Sequence, residues 1–335
     1  MSRSDLGGPV LASVSRSFFL TLRLLPDKLR APIGLAYLLA RTSDTIADSH
    51  ETPVALRLEH LASFGRMLRN AEGDNLGALQ REIVPGNAAE KNLLSKIPEC
   101  LTWLTALPES DRHEIQCVLA KIIKGQTLDL ERFADPTKLS SLESADDLDE
   151  YTYLVAGCVG EFWTRISLHN LRRYGQRSPE ALCAAGIEFG KGLQLINILR
   201  DLPADLRAGR CYLPADELMT AGITAETLTT QPQRARPVVD RWMEKAEIAL
   251  QAGHRYIEAL YSPRLRAACF LPWHIGIQTL ELMRAQPPLE TAARLKIPRS
   301  AIRRSLLMAL PVAFSNRALD RIAQRGGPTL KKLTD

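Results

Sequence analysis

The chain has 335 residues, of which 45% are apolar and 24% are charged, and its formal net charge at pH 7 is +5. This length and apolar content allow two domains or one large domain with a substantial buried core. The mild positive charge does not favour a nucleic-acid-binding protein, although it is compatible with an anionic ligand or a membrane surface.

Cysteine usage and hydropathy narrow the class of protein further. The six cysteines are scattered, without a CxxC pair or a histidine at metal-ligand spacing, which predicts reduced thiols and argues against a zinc site. Arg16 and Arg23 interrupt the N-terminal apolar run, so no signal peptide is expected. No apolar run approaches the roughly 20 residues that span a bilayer. We therefore expect a cytoplasmic protein that is soluble or peripheral to a membrane.

The first informative segment is GLAYLLARTSDTIADS, at residues 34–49. It has the pattern of an apolar helix that ends in Asp44 and Asp48, with Arg41 one turn earlier. The four-residue spacing places both carboxylates on one face of a helix. Such pairs are common on solvated helix faces, but unpaired carboxylates at the end of a buried helix are costly in free energy. This acid pair is therefore a candidate binding site.

Most of the remaining long segments are predicted to be helical. Leucines and isoleucines recur at helical spacing in 53–71 and in 110–133, where Ser110 is the predicted N-cap. Pro237 is the predicted first residue of a later helix. Strand signals are weak and no βαβ rhythm is found, so the sequence predicts an all-α, bundle-like fold.

Two predicted helices are unusually rich in small residues. Residues 151–163 contain Gly157 and Gly160, and the helix that follows contains Gly186, Gly190 and Gly192. An interior glycine costs a helix roughly 1 kcal/mol relative to alanine. Close helix packing and the wall of a ligand cavity both explain this composition, and the sequence favours neither.

A second acid pair occurs in LINILRDLPADLRAGRCYLP, at residues 195–214. Asp201 and Asp205 are again four residues apart, and Pro203 lies between them. Because proline removes a backbone donor and crowds the preceding turn, we expect the helix to loosen or end at this point. The chain would then turn and bring arginines over a bound phosphate. Three arginines surround the pair: Arg200, Arg207 and Arg210.

The two acid pairs together suggest one kind of chemistry. Magnesium prefers oxygen ligands and is often held by one or two carboxylates together with substrate phosphates. Nearby arginines can fork onto phosphate oxygens. No GxxxxGK[ST] loop is present, so a diphosphate bound through Mg²⁺ is a better interpretation than a nucleotide-binding loop.

Four motifs then resemble a known family in order and spacing. They are SVSRSFF, AYLLARTSDTIAD, YTYLVAGCVG and NILRDLPADLRAGRCYLP, and they resemble the squalene/phytoene synthases, which join two isoprenyl diphosphates head to head. The resemblance extends from about Ser13 to about Arg299. It implies the all-α fold of class I isoprenoid synthases, as a single domain around a central cavity, with a core at about 13–316 and a tail at 317–335.

The C-terminal third is more similar to squalene synthases than to phytoene synthases. RAACFLPWHIGIQTLELM and LKIPRSAIRR resemble the apolar helix and the basic segment of the squalene type. The sequence departs from the family pattern at Ala47, where many squalene synthases have a third acid, and at Pro203. The hydrophobic anchor of eukaryotic members is not found, which fits a soluble enzyme of bacterial type.

The resemblance assigns roles to residues of both acid motifs. Asp44, Asp48, Asp201 and Asp205 are expected to hold Mg²⁺, with Mn²⁺ as the alternative ion, against two molecules of farnesyl diphosphate. Tyr151 matches the tyrosine assigned to proton transfer or to shielding of the cation. Positions that match diphosphate contacts or other substrate contacts are Ser15, Arg16, Ser17, Tyr37, Arg41, Arg200 and Arg210.

Further residues are expected around a cofactor and a hydrocarbon cavity. Asn197, Lys296 and Arg299 match positions near NADPH, although no dinucleotide-binding glycine fingerprint is present. Aromatic faces stabilise cations, so aromatic residues are candidates for the cavity wall, although core packing is the safer interpretation of each one. These residues are Phe18, Phe162, Phe270 and Trp273.

The expected activity is condensation of two farnesyl diphosphates to presqualene diphosphate, followed by NADPH-dependent reduction to squalene. Two enzymatic alternatives stay open: synthesis that stops at presqualene diphosphate, and a phytoene-type reaction with geranylgeranyl diphosphate. A catalytically silent helical assembly factor is the non-enzyme alternative. A peripheral membrane contact for product release is a further expectation, and no nucleic-acid partner is expected.

Overall fold

The structure, a computed structural model, describes residues 6–15, 18–70, 75–135, 137–291 and 295–324. These residues divide into two compact units that interleave along the chain. The first unit comprises Met1–Ala134 and Phe162–Arg173, and the second comprises Asp135–Glu161 and Tyr174–Asp335. The expectation of one domain stays a prediction, whereas the all-α class is confirmed.

The first unit is built from helices on a buried leucine framework. Its elements are a π-helical turn Leu6–Val10, α1 Leu11–Ser15, α2 Phe18–Leu24, α3 Asp27–Ala47, α4 Val54–Asn70, α5 Leu76–Glu82, α6 Ala88–Ser95, α7 Ile97–Thr105 and α8 Glu109–Arg132. Helix α3 packs against α4, α7 and α8, and its Leu29, Leu35 and Leu38 are fully buried. The removal of this apolar surface from water stabilises the unit.

The second unit consists of longer helices and one short parallel strand pair. Its elements are β1 Ser140–Ser141, α9 Ala145–Thr152, a π-helical turn Tyr153–Gly157, α10 Cys158–Asn170, α11 Pro179–Arg207, β2 Arg210–Cys211, α12 Ala215–Thr220, a 3₁₀ turn Ala225–Thr227, α13 Pro232–Ala259, α14 Pro263–Ala285, a 3₁₀ turn Pro288–Glu290, α15 Arg299–Phe314 and α16 Asn316–Ala323. Along the chain, α10 belongs partly to each unit. Strands β1 and β2 pair Ser140 with Arg210.

Local sequence explains where several of these helices begin. Ser144 and Asp147 form a capping box at the start of α9. Serine followed by proline opens α11, at Ser178, and α14, at Ser262, because the hydroxyl accepts an orphan backbone N–H and proline occupies the first turn without loss. Ser315 caps α16 in the same way.

Three expectations about helix boundaries were wrong. Helix α8 begins at Glu109 after Pro108, so Ser110 is not its N-cap. Helix α13 begins at Pro232, which leaves Pro237 inside the helix. Helix α11 continues through Pro203 to Arg207. In both long helices the packed apolar face outweighs the single hydrogen bond that an interior proline removes.

The glycine-rich segments are sites of close helix packing within the second unit. A Cβ on Gly160 would lie 1.9 Å from the carbonyl oxygen of Gly186, and one on Gly190 would lie 2.4 Å from that of Ala156. Since a side chain at either position would meet backbone atoms, glycine is required there. Close packing is therefore confirmed as the role of these two glycines.

Candidate active site

The first acid pair lies at the C-terminal end of α3. Asp44 is half-buried and Asp48, which caps the helix, is exposed. The Gln126 Nε2 amide group on α8 donates a hydrogen bond of 2.8 Å to Asp44 Oδ1, and Arg41 Nη1 lies 3.7 Å from Asp44 Oδ2. Arg41 also donates to Glu90 Oε1 at 2.6 Å, so its guanidinium group is held beside the acid pair.

The pKa of Asp44 is raised to about 6. The protein atoms around the carboxylate are the largest cause, because they replace water, and the negative charge of Asp48 adds to the effect. Arg41 and Gln126 oppose the shift. The Asp44 side chain is still 43% exposed, so it lies in a recess that solvent reaches. A carboxylate that is crowded by a second negative charge and open to solvent fits a divalent cation.

Ala47, between these acids, contributes no ligand atom from its side chain. It is 9% exposed, and its carbonyl oxygen accepts a hydrogen bond of 2.8 Å from Arg57 Nη1. The position therefore faces the interior of the first unit, and the departure from the family pattern leaves two acids at this motif.

The second acid pair lies near the C-terminal end of α11. Arg200 forms two hydrogen bonds with the neighbouring Asp201, Nε to Oδ1 at 3.1 Å and Nη2 to Oδ2 at 2.5 Å. Asp205 is half-buried one turn later. Both acids therefore stay on one continuous helix, and Pro203 keeps its place in that helix instead of ending it.

The predicted turn of the chain occurs after α11. Gly209 has φ of 80°, a conformation that glycine adopts without strain, and the chain then enters β2 with Arg210 half-buried. Arg207 is exposed at the end of the helix. The chain thus reverses direction at Gly209 and then pairs with β1. The glycine of the Ala-Gly-Arg sequence was the signal for this turn in the motif.

Tyr151 lies at the end of α9, in the second unit. Its ring stacks on Tyr212, with ring centroids 5.0 Å apart and an interplanar angle of 21°. The two hydroxyl oxygens are 3.5 Å apart. Tyr212 is buried and was not among the predicted site residues, although it lies two positions after Arg210. The structure therefore gives Tyr151 a fixed ring orientation and a polar neighbour.

The N-terminal motif is described only in part. Ser15 is buried, and its hydroxyl donates to the Leu11 carbonyl oxygen at 2.5 Å. The Tyr37 hydroxyl donates to the Val14 carbonyl oxygen at 3.3 Å, so it ties α3 to α1. Arg16 and Ser17, and the side chain of Phe18, lie outside the described residues.

The residues predicted to contact NADPH lie on different segments of the second unit. Asn197 is exposed on α11, and its amide group lies 3.5 Å from Gln194 Oε1. Lys296 is exposed before α15, and Arg299 is the first residue of that helix. No hydrogen bond or ion pair joins these three side chains within the described ranges.

The predicted aromatic residues are buried in their own units. Phe270 has no exposed surface and stacks on His274 at 5.1 Å between ring centroids. The Trp273 Nε1–H group donates to the Leu250 carbonyl oxygen at 2.8 Å. Phe162 is 5% exposed. These contacts are those of core packing, the safer of the two interpretations.

The described residues contain no cluster of three or more histidine, cysteine, aspartate or glutamate side chains suited to a metal ion. Each acid motif therefore offers at most a pair of carboxylates within its unit. One described helix, α11, is long and apolar enough to cross a membrane, by length and composition only. Part of this helix is buried inside the protein.

The helical architecture defines the protein as an isoprenoid-synthase fold. It is similar to the structure of TcSQS with the ligand E5700, with a TM-score of 0.78, 21% sequence identity, and coverage of 97% of this chain and 94% of that chain. Squalene synthase HpnC from Alicyclobacillus acidocaldarius is also similar, with a TM-score of 0.62, 19% identity, and coverage of 84% of this chain and 93% of that chain.

The sequence comparison establishes the family. The squalene/phytoene synthase model matches residues 11–301, and the chain belongs to this family. Chloroplastic phytoene synthase 1 from Arabidopsis thaliana is 26% identical over 328 residues, which cover 96% of this chain and 68% of the relative. The resemblance that the four motifs indicated is thereby confirmed at the level of the family, which is one of prenyltransferase-type enzymes.

Proposed function

We propose that the protein condenses two molecules of farnesyl diphosphate head to head to presqualene diphosphate and reduces that product to squalene with NADPH. The observation that carries the proposal is the repeated acid–arginine arrangement. Arg41 lies 3.7 Å from Asp44 in one motif, and Arg200 is hydrogen bonded to Asp201 in the other. Two such motifs match a reaction that consumes two diphosphates.

Each acid pair is proposed to hold Mg²⁺ or Mn²⁺ through carboxylate oxygens. A divalent cation there would offset the charge that develops on the departing diphosphate. Arg41, Arg200 and Arg210 then provide guanidinium donors for the phosphate oxygens, with Arg16, Ser15 and Ser17 expected to add contacts from the N-terminal motif. This division of roles follows from donor chemistry, since arginine binds anions and carboxylate binds cations.

Tyr151 is proposed to take part in the loss of a proton that closes the cyclopropane ring. Its ring is held by the stack on Tyr212, so its hydroxyl has a restricted position. A positioned proton-transfer group contributes typically about 10²- to 10⁴-fold to rate. The ring itself would also shield an allylic cation through its π face.

The reductive half-reaction depends on NADPH, a hydride donor whose phosphates require cationic partners. Lys296 and Arg299 are exposed at the start of α15, where the first backbone N–H groups have no side-chain cap and favour a bound anion. Asn197 is proposed as a third contact. These features support a phosphate-binding role for the segment that precedes α15.

A phytoene-type reaction with geranylgeranyl diphosphate is the second candidate. It is favoured by the relative from Arabidopsis thaliana, a phytoene synthase that aligns with 96% of this chain. The squalene-type proposal is supported by the fold similarity to TcSQS over 97% of the chain and by the C-terminal basic segment. Both candidates share the first condensation step and differ in substrate length and in the use of NADPH.

The test incubates the purified full chain with Mg²⁺ and either farnesyl or geranylgeranyl diphosphate, with and without NADPH, and identifies products by mass spectrometry. We expect squalene from farnesyl diphosphate only when NADPH is present, and presqualene diphosphate when it is omitted. Phytoene from the longer substrate would replace the proposal with the second candidate. Presqualene diphosphate in all conditions would limit the enzyme to the first step, and no turnover would favour the silent helical protein.

A double variant tests the proposed cofactor contacts. Lys296→Ala/Arg299→Ala should accumulate presqualene diphosphate at NADPH concentrations that saturate the parent, with partial rescue at higher NADPH. The matched control Lys91→Ala/Lys138→Ala removes two exposed cations elsewhere and should form squalene at the parental rate. An unchanged NADPH dependence in the first variant would place the cofactor site elsewhere.

A further inference from the structure

Helix α15 exposes an unusual amount of apolar surface. Leu307, Leu310 and Phe314 are 77%, 69% and 74% exposed, and their spacing places them on one stripe of the helix. The opposite stripe, with Ser305, Ala309 and Val312, is buried, and α15 packs against α14. The outward stripe therefore adds little buried apolar area to the fold, and large exposed apolar groups that cluster mark an interaction site.

Positive charge surrounds this stripe. Arg303 and Arg304 are exposed on the same outward face of α15, and Arg317 and Arg321 are exposed on α16. None of these four arginines has a carboxylate within 4.0 Å among the residues that the structure describes. The one acid of α16, Asp320, lies 3.1 Å from His254 Nε2. The surface thus combines an apolar stripe with uncompensated cations, and we call the outward faces of α15 and α16 the C-terminal patch.

A cavity of about 500 Å³ opens at the junction of α15 and α16. Its lining includes Phe314 and Arg317 from the C-terminal patch, and Arg266 from α14. Arg266 is 5% exposed and donates only to the carbonyl oxygens of Val312, Ile257 and Glu258. Its Nη2 atom has no hydrogen-bond partner within the described part of the chain, so one guanidinium donor at the cavity lacks a protein acceptor, while the negative charges of Glu258 and Asp320 act on Arg266 from nearby.

The chemistry of the C-terminal patch favours one class of partner. A nucleic acid would satisfy the arginines but would leave three large apolar side chains in contact with phosphates. A second copy docked face to face would bring the same arginines together, which is unfavourable at an interface whose one described acid, Asp320, lies against His254. An anionic bilayer satisfies both features, because apolar tips enter the acyl boundary while arginines contact headgroup phosphates.

We propose that the C-terminal patch binds the surface of an anionic phospholipid bilayer. Leu307, Leu310 and Phe314 insert below the headgroups, Arg303 and Arg304 contact phosphates along α15, and the cavity beside Arg317 receives one headgroup phosphate. This proposal rests on the surface alone and holds for any reaction that the enzyme performs.

The test measures sedimentation of the full chain with vesicles of phosphatidylcholine and phosphatidylserine at 70:30, and with pure phosphatidylcholine vesicles. We expect binding to the mixed vesicles that weakens as salt rises. Arg303→Gln/Arg304→Gln should reduce the partition coefficient about 25-fold, at about fivefold for each arginine near an anionic surface. Leu307→Ser/Leu310→Ser/Phe314→Ser should reduce it at least tenfold even at low salt.

Matched controls separate the C-terminal patch from general charge and hydrophobicity. Arg66→Gln/Arg69→Gln removes two exposed arginines from α4, and Met219→Ser/Ile248→Ser removes two apolar side chains that are 66% and 56% exposed. Both should bind vesicles like the parent. Equal binding by the patch variants would overturn the proposal.

Other occupants of the C-terminal patch give different outcomes. Binding of inorganic phosphate in calorimetry, without vesicle binding by the parent, would show a site for free phosphate and would overturn the proposal. A dimer in light scattering that the triple serine variant dissociates, without vesicle binding by the parent, would assign the patch to a second copy. An assay of squalene formation in detergent-free buffer tests the proposed reaction. Its result is independent of what the C-terminal patch binds.

Discussion

At the scale of single residues, Asp44 shows how a carboxylate that is proposed to hold a cation can oppose folding. Its folded-state pKa of about 6 exceeds the ordinary value of 3.8, so the folded protein binds this proton more tightly than the unfolded chain does. The stability that this preference provides is present below pH 3.8 and is lost as pH rises to 6. Above pH 6 the ionised Asp44 therefore destabilises the fold, and a bound cation would reverse the effect.

Asp44→Asn tests this effect through the melting temperature. At pH 7.5 without divalent ions, the free energy of unfolding of the variant should exceed that of the parent by about 1 kcal/mol. This is less than the full pKa shift would give, because the side chain is half exposed. The melting temperature should rise by about 2–4 °C. The difference should vanish near pH 4. Added Mg²⁺ should raise the melting temperature of the parent only. Glu59→Gln, at an exposed position, should show neither change, and a variant that melts below the parent at pH 7.5 would contradict the assignment.

Tyr151 gives a second prediction at this scale. Tyr151→Phe keeps the ring that stacks on Tyr212 and removes the hydroxyl, so we expect turnover of farnesyl diphosphate to fall about 10²- to 10⁴-fold with little change in KM or melting temperature. Tyr153→Phe is the matched control, because its hydroxyl contacts Glu161 at 3.0 Å in the same unit. Parental turnover by Tyr151→Phe would restrict the residue to packing.

At the scale of elements, α11 organises the second unit. It packs against α13, α14 and the π-helical turn Tyr153–Gly157, and its C-terminal end carries Asp201 and Asp205. At Gly160 and Gly190 the backbones of neighbouring segments approach each other closely. The position of α11, which carries the acids, therefore depends on the absence of a side chain at these two glycines. Local propensity disfavours glycine in helices, but the contact requires it.

Gly160→Ala measures the importance of this contact. Its Cβ would lie 1.9 Å from the Gly186 carbonyl oxygen, so the helices must separate, and we expect a loss of stability of about 1–3 kcal/mol or more. Gly65→Ala on α4 meets only side-chain atoms at 3.8 Å and should stabilise the protein by about 0.5–1 kcal/mol. Chemical denaturation compares the two, and equal stabilities would contradict the packing argument.

At the scale of the whole molecule, stability comes from apolar packing within the units and from no covalent cross-link. All six cysteines are free, and Cys100, Cys158, Cys211 and Cys269 are buried. Burial raises the pKa of the Cys100 thiol to about 12, which keeps it protonated and unreactive. The free thiols agree with the reduced state that the sequence predicted.

Reducing agent should therefore leave the melting temperature of the protein unchanged. We expect the melting temperature at pH 7 to shift by less than about 1 °C between 0 and 5 mM dithiothreitol, since a native disulfide would contribute about 2–5 kcal/mol. Thiol labelling of the folded chain should reach Cys117 and Cys183 first, because these two are half-buried. A marked drop in melting temperature on reduction would reveal a cross-link that the structure lacks.

The sequence by itself determined the helical class, the two acid motifs and the family, because these depend on residues within a few turns of one another. A helix bonds residue i to i−4, so periodicity and acid spacing are local properties. Helix boundaries at Ser110, Pro203 and Pro237 were wrong, because packing along a whole helix outweighs the preference of one residue.

Only the tertiary structure decided which distant groups meet. Gln126 reaches Asp44 across 82 positions, and Tyr212 stacks on Tyr151 across 61. It also decided that the glycine-rich segments pack backbone against backbone and that one stripe of α15 stays exposed. No local pattern encodes these facts, because contacts between distant segments depend on how complete helices dock and on the apolar area that each docking removes from water.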